Sequence, residues 1–142
     1  MSKRILVPVD RSEQAMRAVD FAVEEFPAAE LVLFHVINPT DAGYSAQASI
    51  PSYSEEWYEN EKQNARRLFE EVRERTADRG IETETATEVG KPSRAIVAYA
   101  DEHDIDHIVM GSHGREGVTR ILLGSVAEAV VRHSPVSVTV AR

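Results

Sequence analysis

Short apolar runs and amphipathic stretches alternate along this chain from end to end. Ile5 to Val9 is a β-branched run closed by Pro8 and Asp10, the pattern of a strand buried on both faces. From Ser12 onward Ala15, Met16, Val19, Ala22, Val23 and Phe26 recur at helical spacing, with Glu13 in the first turn and Pro27 past the end. Leu31 to Ile37 repeats the strand signature and is broken by Asn38-Pro39. Residues 38–54 carry Ser, Ala, Pro and Gly without a sustained period, and are long for a loop in a compact domain; they read as a lid or an insertion.

A second helical stripe, Tyr58, Ala65, Leu68, Phe69, Val72 and Thr76, crosses a strongly charged segment and ends at Gly80. Ile81 to Val89 alternates apolar residues with charged or hydroxyl ones, as a strand near a sheet edge does. Pro92 suits the first position of a helix carrying Ile96, Tyr99 and Ala100 as far as His103. Ile105 to Met110 gives a short strand ending on Gly111, Val126, Ala129 and Val130 mark a last helix, and Val136 to Val140 a last strand. Strands alternating with helices throughout predict an α/β domain whose parallel sheet is covered on both faces. In open sheets of this kind ligands sit outside the carboxyl ends of the strands, where the strand order reverses. Those ends are Asp10, residues 36–38 and residues 110–114.

Composition narrows the function. The chain of 142 residues, 42% hydrophobic, suits a single domain spanning 1–142. It has no cysteine, which removes disulfides, zinc-thiolate centres and a thiol nucleophile, and fits a reducing cytoplasmic interior. The N-terminal apolar run is far too short for a signal peptide or membrane span, so no membrane partner is expected. A net charge of -8 with no basic cluster disfavours a nucleic-acid partner.

The segment with the most chemistry is Gly111-Ser112-His113-Gly114, nine further residues, then Gly124-Ser125. Glycine lets backbone N–H groups approach an anion closely. Ser125-Val126-Ala127-Glu128 has the form of a capping box and predicts a helix N-terminus with free N–H groups there. His113, Arg115 and Arg120 add donors beside this phosphate cradle. A turn at Gly111 and Gly114 and a simple cap at Ser125 would explain each residue singly, but not two glycine sites flanking one loop at a strand's carboxyl end. Neither the Walker pattern nor G-x-G-x-x-G is present. Asp10 reads as an acceptor for a sugar hydroxyl or an exocyclic amine, as a cap of the first helix, or as both.

This glycine pattern closely resembles that of the universal stress protein family, whose ATP-binding members carry Gly-x-x-Gly, nine residues, then Gly-Ser or Gly-Thr. Ile5 to Ser12 resembles the family's opening strand, His35-Val36 its second and Val109 to Gly114 its fourth. The resemblance implies a doubly wound open sheet of five parallel strands in the order 3-2-1-4-5. It implies ATP or another adenine nucleotide across the ends of strands one and four, beside Pro8, Val9 and Met110. Asp10 would then contact adenine or ribose, Val36 would lie against adenine through its backbone, and Gly111, Gly114, Gly124, Ser125 and Val126 would hold the phosphates. His113 and Arg115 would stand next to them, with Mg or Mn carried in on the phosphates rather than by protein ligands.

If the fifth strand is an edge, Val136, Val138 and Val140 form an uncharged one, and a homodimer through it is expected. A nucleotide-binding regulatory module in stress response fits best. Slow ATP hydrolysis has only His113 and Asp10 as local candidates, in no motif for that role. A scaffold without nucleotide would leave the glycine set unused, and the His-x-Gly-His of nucleotidyl transferases is absent after the first strand.

Overall fold

A computed structural model describes residues 2–42, 55–112 and 123–142. Its elements are β1 (Arg4–Pro8), α1 (Glu13–Glu25), β2 (Glu30–Ile37), α2 (Glu55–Thr76), β3 (Glu82–Val89), α3 (Pro92–Glu102), β4 (His107–Gly111), α4 (Ser125–His133) and β5 (Ser137–Ala141). The five strands are parallel and stand in the order β3-β2-β1-β4-β5. This is the doubly wound sheet that the alternation and the family resemblance imply.

Strand periodicity assigns the core. On one face Ile5, Val7, Leu31, Leu33 and Val109 pack against α1 and α2; on the other Leu6, Val32, Phe34, Ile108 and Met110 pack against α3 and α4. Most of these side chains are wholly buried, each worth about 1.5–3 kcal/mol of transfer free energy. Ser12 caps α1, its Oγ accepting from the Ala15 N–H at 3.1 Å. Gly80 ends the turn after α2 with φ +66, a left-handed conformation that a side chain would strain.

Two elements differ from the sequence reading. The fourth strand starts at His107 rather than Ile105, because Asp104 turns the chain with φ 53 and Ile105 goes into the core before pairing begins. The capping box at Ser125 is not formed: Gly124 is the cap residue and Ser125 the first helical residue. The Gly124 N–H donates to the Ser112 carbonyl at 2.7 Å, which sets the helix start, and Glu128 pairs with Arg132 at 2.9 Å instead of reaching back.

Candidate functional site

The site begins where β1 and β4 separate. Asp106 N–H donates to the Arg4 carbonyl, so Arg4, Leu6 and Pro8 turn their backbone groups toward β4. Pro8 has no N–H to give, and the pairing of the two strands ends at Leu6 with Ile108. A cleft of about 160 Å³ opens beyond that point. Pro8, Val9 and Asp10 line it from the end of β1, Phe34, His35 and Val36 from β2, and Met110 and Gly111 from β4. Ser12 and Ala15 at the start of α1, Pro92 and Ile96 of α3, and Val126 and Ala127 of α4 complete it among the described residues.

The polar groups at this mouth are mostly fixed. Asp10 does not cap α1, which Ser12 does; its Oδ1 accepts from the Ser12 N–H at 2.8 Å, leaving Oδ2 without a hydrogen bond among the described residues. His35 Nδ1 donates to the Val9 carbonyl at 2.8 Å. At the start of α4 the Gly124 N–H is engaged by Ser112, so the helix offers an anion the N–H groups of Ser125, Val126 and Ala127.

Gly111 has a reason to be glycine besides phosphate contact. A Cβ there would lie 2.8 Å from backbone and side-chain atoms of Gln14, so the residue permits α1 to seat closely on β4.

Of the residues singled out from sequence, Pro8, Val9, Asp10, Val36, Met110, Gly111 and Val126 line one cleft, and Gly124 and Ser125 adjoin it at the start of α4. His113, Gly114, Arg115 and Arg120 lie outside the described residues. The sequence reading missed Ser12, Ala15, Phe34, His35, Pro92, Ile96 and Ala127 as cleft residues. Ile96 was legible as apolar and helical, but nothing local said it faced the strand ends. Among the described residues no group of three or more His, Asp or Glu could hold a metal ion, and no helix is long and apolar enough to cross a membrane.

A doubly wound sheet in this strand order has its cleft at the switch point, where ligands of such sheets sit. The chain belongs to the universal stress protein family, whose family model matches residues 1–142. It is 33% identical to universal stress protein MJ0577 of Methanocaldococcus jannaschii over 94% of this chain and 91% of that one. A solved structure of MJ0577 superposes with a TM-score of 0.84, covering 99% of this chain and 96% of that one. Universal stress protein YxiE of Bacillus subtilis is 30% identical over the full length of both. A universal stress protein solved in complex with cAMP superposes with a TM-score of 0.70 at 25% identity, covering 99% of this chain and 97% of that one.

Proposed function

We propose that this protein binds an adenine nucleotide, ATP above all, in the cleft between β1 and β4, and acts as a homodimeric regulatory module of the cytoplasmic stress response. The observation that carries the reading is the coincidence, at the switch point, of apolar walls with a few polar groups left over by the sheet. Val36, Ile96, Met110 and Val126 offer flat apolar contact to a purine. Even-numbered residues of β2 turn their backbone groups toward β1, as the bonds from Glu30 N–H to the Lys3 carbonyl and from Val9 N–H to the Phe34 carbonyl require. The chain leaves the sheet after Val9, so the Val36 C=O projects past the end of β1, and the Val36 N–H stands at its last rung, opposite the Val9 carbonyl. A donor and an acceptor side by side match the N1 acceptor and amino donor on one edge of adenine.

Asp10 Oδ2 is the acceptor for a ribose hydroxyl. The first N–H groups of α4 and the Gly-x-x-Gly loop, from Gly111 to Gly114, take the phosphates, with His113 and Arg115 beside them, and Gly124 shapes the turn into α4. At about 160 Å³ the cleft is smaller than the about 300–1,000 Å³ that encloses a whole drug-sized ligand. The base is therefore held inside and the phosphates at the mouth, where Mg or Mn arrives already bound to them. The family relative in complex with cAMP supports an adenine ligand. The homodimer is supported by the uncharged strand β5, and Val131 of α4 is a further exposed apolar residue, 49% exposed.

Denaturing the purified protein and identifying the released nucleotide tests the ligand. Asp10→Ala then tests the polar contact: affinity for ATP falls and preference over GTP relaxes. A protein that releases no nucleotide and shows no binding by titration calorimetry favours the dimeric scaffold instead.

A further inference from the structure

The β1–β2 ladder does not simply stop at the cleft; a side chain cuts it short. Its rungs run from Glu30 N–H to the Lys3 carbonyl onward in steps of two, and the last is from Val9 N–H to the Phe34 carbonyl at 2.8 Å. The next would run from Val36 N–H to the Val9 carbonyl. That carbonyl accepts instead from His35 Nδ1 at 2.8 Å. A carbonyl only accepts, so Nδ1 carries the hydrogen. His35 thereby bonds the acceptor to which the next rung would run, and among the described residues the Val36 N–H makes no bond to that carbonyl, although a carbonyl left beside a free N–H ordinarily pairs with it.

We infer that His35 is a positioning residue for base selectivity: by occupying the Val9 carbonyl it keeps the Val36 N–H available as a donor to the ligand. The inference rests on the reading of the cleft as an adenine site. A 6-aminopurine presents an acceptor to the Val36 N–H and a donor to the Val36 C=O. A 6-oxopurine presents a donor and an acceptor in the opposite order and is rejected. The same bond fixes the last residue before Asp10, so the carboxylate and the Val36 backbone are held in one frame.

The test compares His35→Ala, His35→Asn and His35→Gln with wild type. The Asn amide nitrogen sits where Nδ1 sits and keeps the donor; the Gln amide is one carbon further out and does not. The first readout is amide hydrogen exchange at Val36 in nucleotide-free protein. Exchange is expected to be fast in wild type and His35→Asn, and at least ten-fold slower in His35→Ala, where the rung closes. Slow exchange in wild type overturns the inference.

The second readout is the ratio of ATP to GTP affinity by calorimetry. His35→Ala and His35→Gln are expected to lose at least ten-fold in that ratio and His35→Asn to keep it, whereas a loss of packing alone would weaken both nucleotides alike. A wild-type ratio in a folded His35→Ala protein overturns the selectivity role while leaving the nucleotide site intact. A wild type that binds no nucleotide overturns the site and the selectivity role together, and Val36 exchange then judges the ladder on its own.

Discussion

The two edges of the sheet solve the same problem in opposite ways. Every edge strand presents unpaired backbone groups, and proteins blunt them with charge or cover. On β3, Glu82, Glu84 and Glu88 are exposed, and Arg73 reaches across from α2 to bond the Thr83 hydroxyl at 3.0 Å and its carbonyl at 3.4 Å. Gly90 N–H donates to the Ile37 carbonyl, so even positions of β3 pair with β2 and Thr83 is one of the residues whose backbone faces outward. The guanidinium therefore occupies an edge acceptor directly. On β5, running Ser137-Val138-Thr139-Val140-Ala141, there is no charge at all. Ser112 N–H donates to the Ala141 carbonyl, so odd positions pair with β4, and Val138 and Val140 turn their backbone groups outward. One edge is closed to pairing and, among the described residues, nothing pairs with the other; that asymmetry is what the proposed two-fold dimer would use, while an open-ended array is denied.

The largest effect is expected from Val138→Pro. It removes an outward donor without touching the β4 ladder, and proline is tolerated on an edge strand in that orientation. Sedimentation velocity should show a folded protein of half the wild-type mass. A wild type that is monomeric at micromolar concentration sinks the open-edge reading.

Gly111→Ala comes next, because Gly111 pairs with Ala141 and any displacement of β4 from α1 unseats β5. An overpacked Cβ against backbone costs about 1–3 kcal/mol, which urea denaturation resolves, and the dimer should weaken with it.

Removing the guard on the other edge, by Glu84→Val with Glu88→Val, should leave the fold intact and add slow association beyond the dimer, seen as rising light scattering with concentration. No change in scattering would mean that Arg73 and Glu82 suffice.

The smallest effect concerns the seam that joins the two halves. Asp20 pairs with Arg75 at 2.7 Å between α1 and α2. The hydrogen bond from Arg75 holds the Asp20 carboxyl below its usual 3.8, against a smaller opposing push from burial. A depressed carboxyl stabilises the fold above its unfolded value, and the contribution is lost as the pH falls through and below 3.8. Both side chains are nearly half exposed, so solvent and salt screen the pair and Asp20→Asn should cost under about 1 kcal/mol at pH 7. The difference from wild type should vanish in acid.

Much of this was legible in the chain itself. The strand runs at Ile5, Leu31 and Val136, the helical stripe ending at Gly80 and the polarity of β3 all follow from periodicity. The family's glycine pattern and the switch-point rule together pointed to Pro8, Asp10, Val36 and Met110, which the fold brings to one cleft. What escaped depends on contacts distant in sequence. Ser125 has the local form of a cap, but a bond from Gly124 to Ser112 moves the helix start by one residue. Gly111 read as a phosphate cradle or a tight turn, whereas Gln14 demands it sterically. His35 carried only the resemblance of the second strand, beside Val36, since nothing local says that its ring will meet a carbonyl 26 residues earlier.

The bond between the Ser112 carbonyl and the Gly124 N–H has a further consequence, for engineering. It closes a neck, so the sheet and α4 are joined independently of how much chain runs between. Closure entropy grows only with the logarithm of length, and doubling that stretch costs about 0.6 kcal/mol. A reporter peptide or an affinity tag inserted just before Leu123 would be carried at the rim of the cleft while Ser112 and Gly124 keep their grip on each other. The protein would then serve as a scaffold that displays a graft beside its cleft.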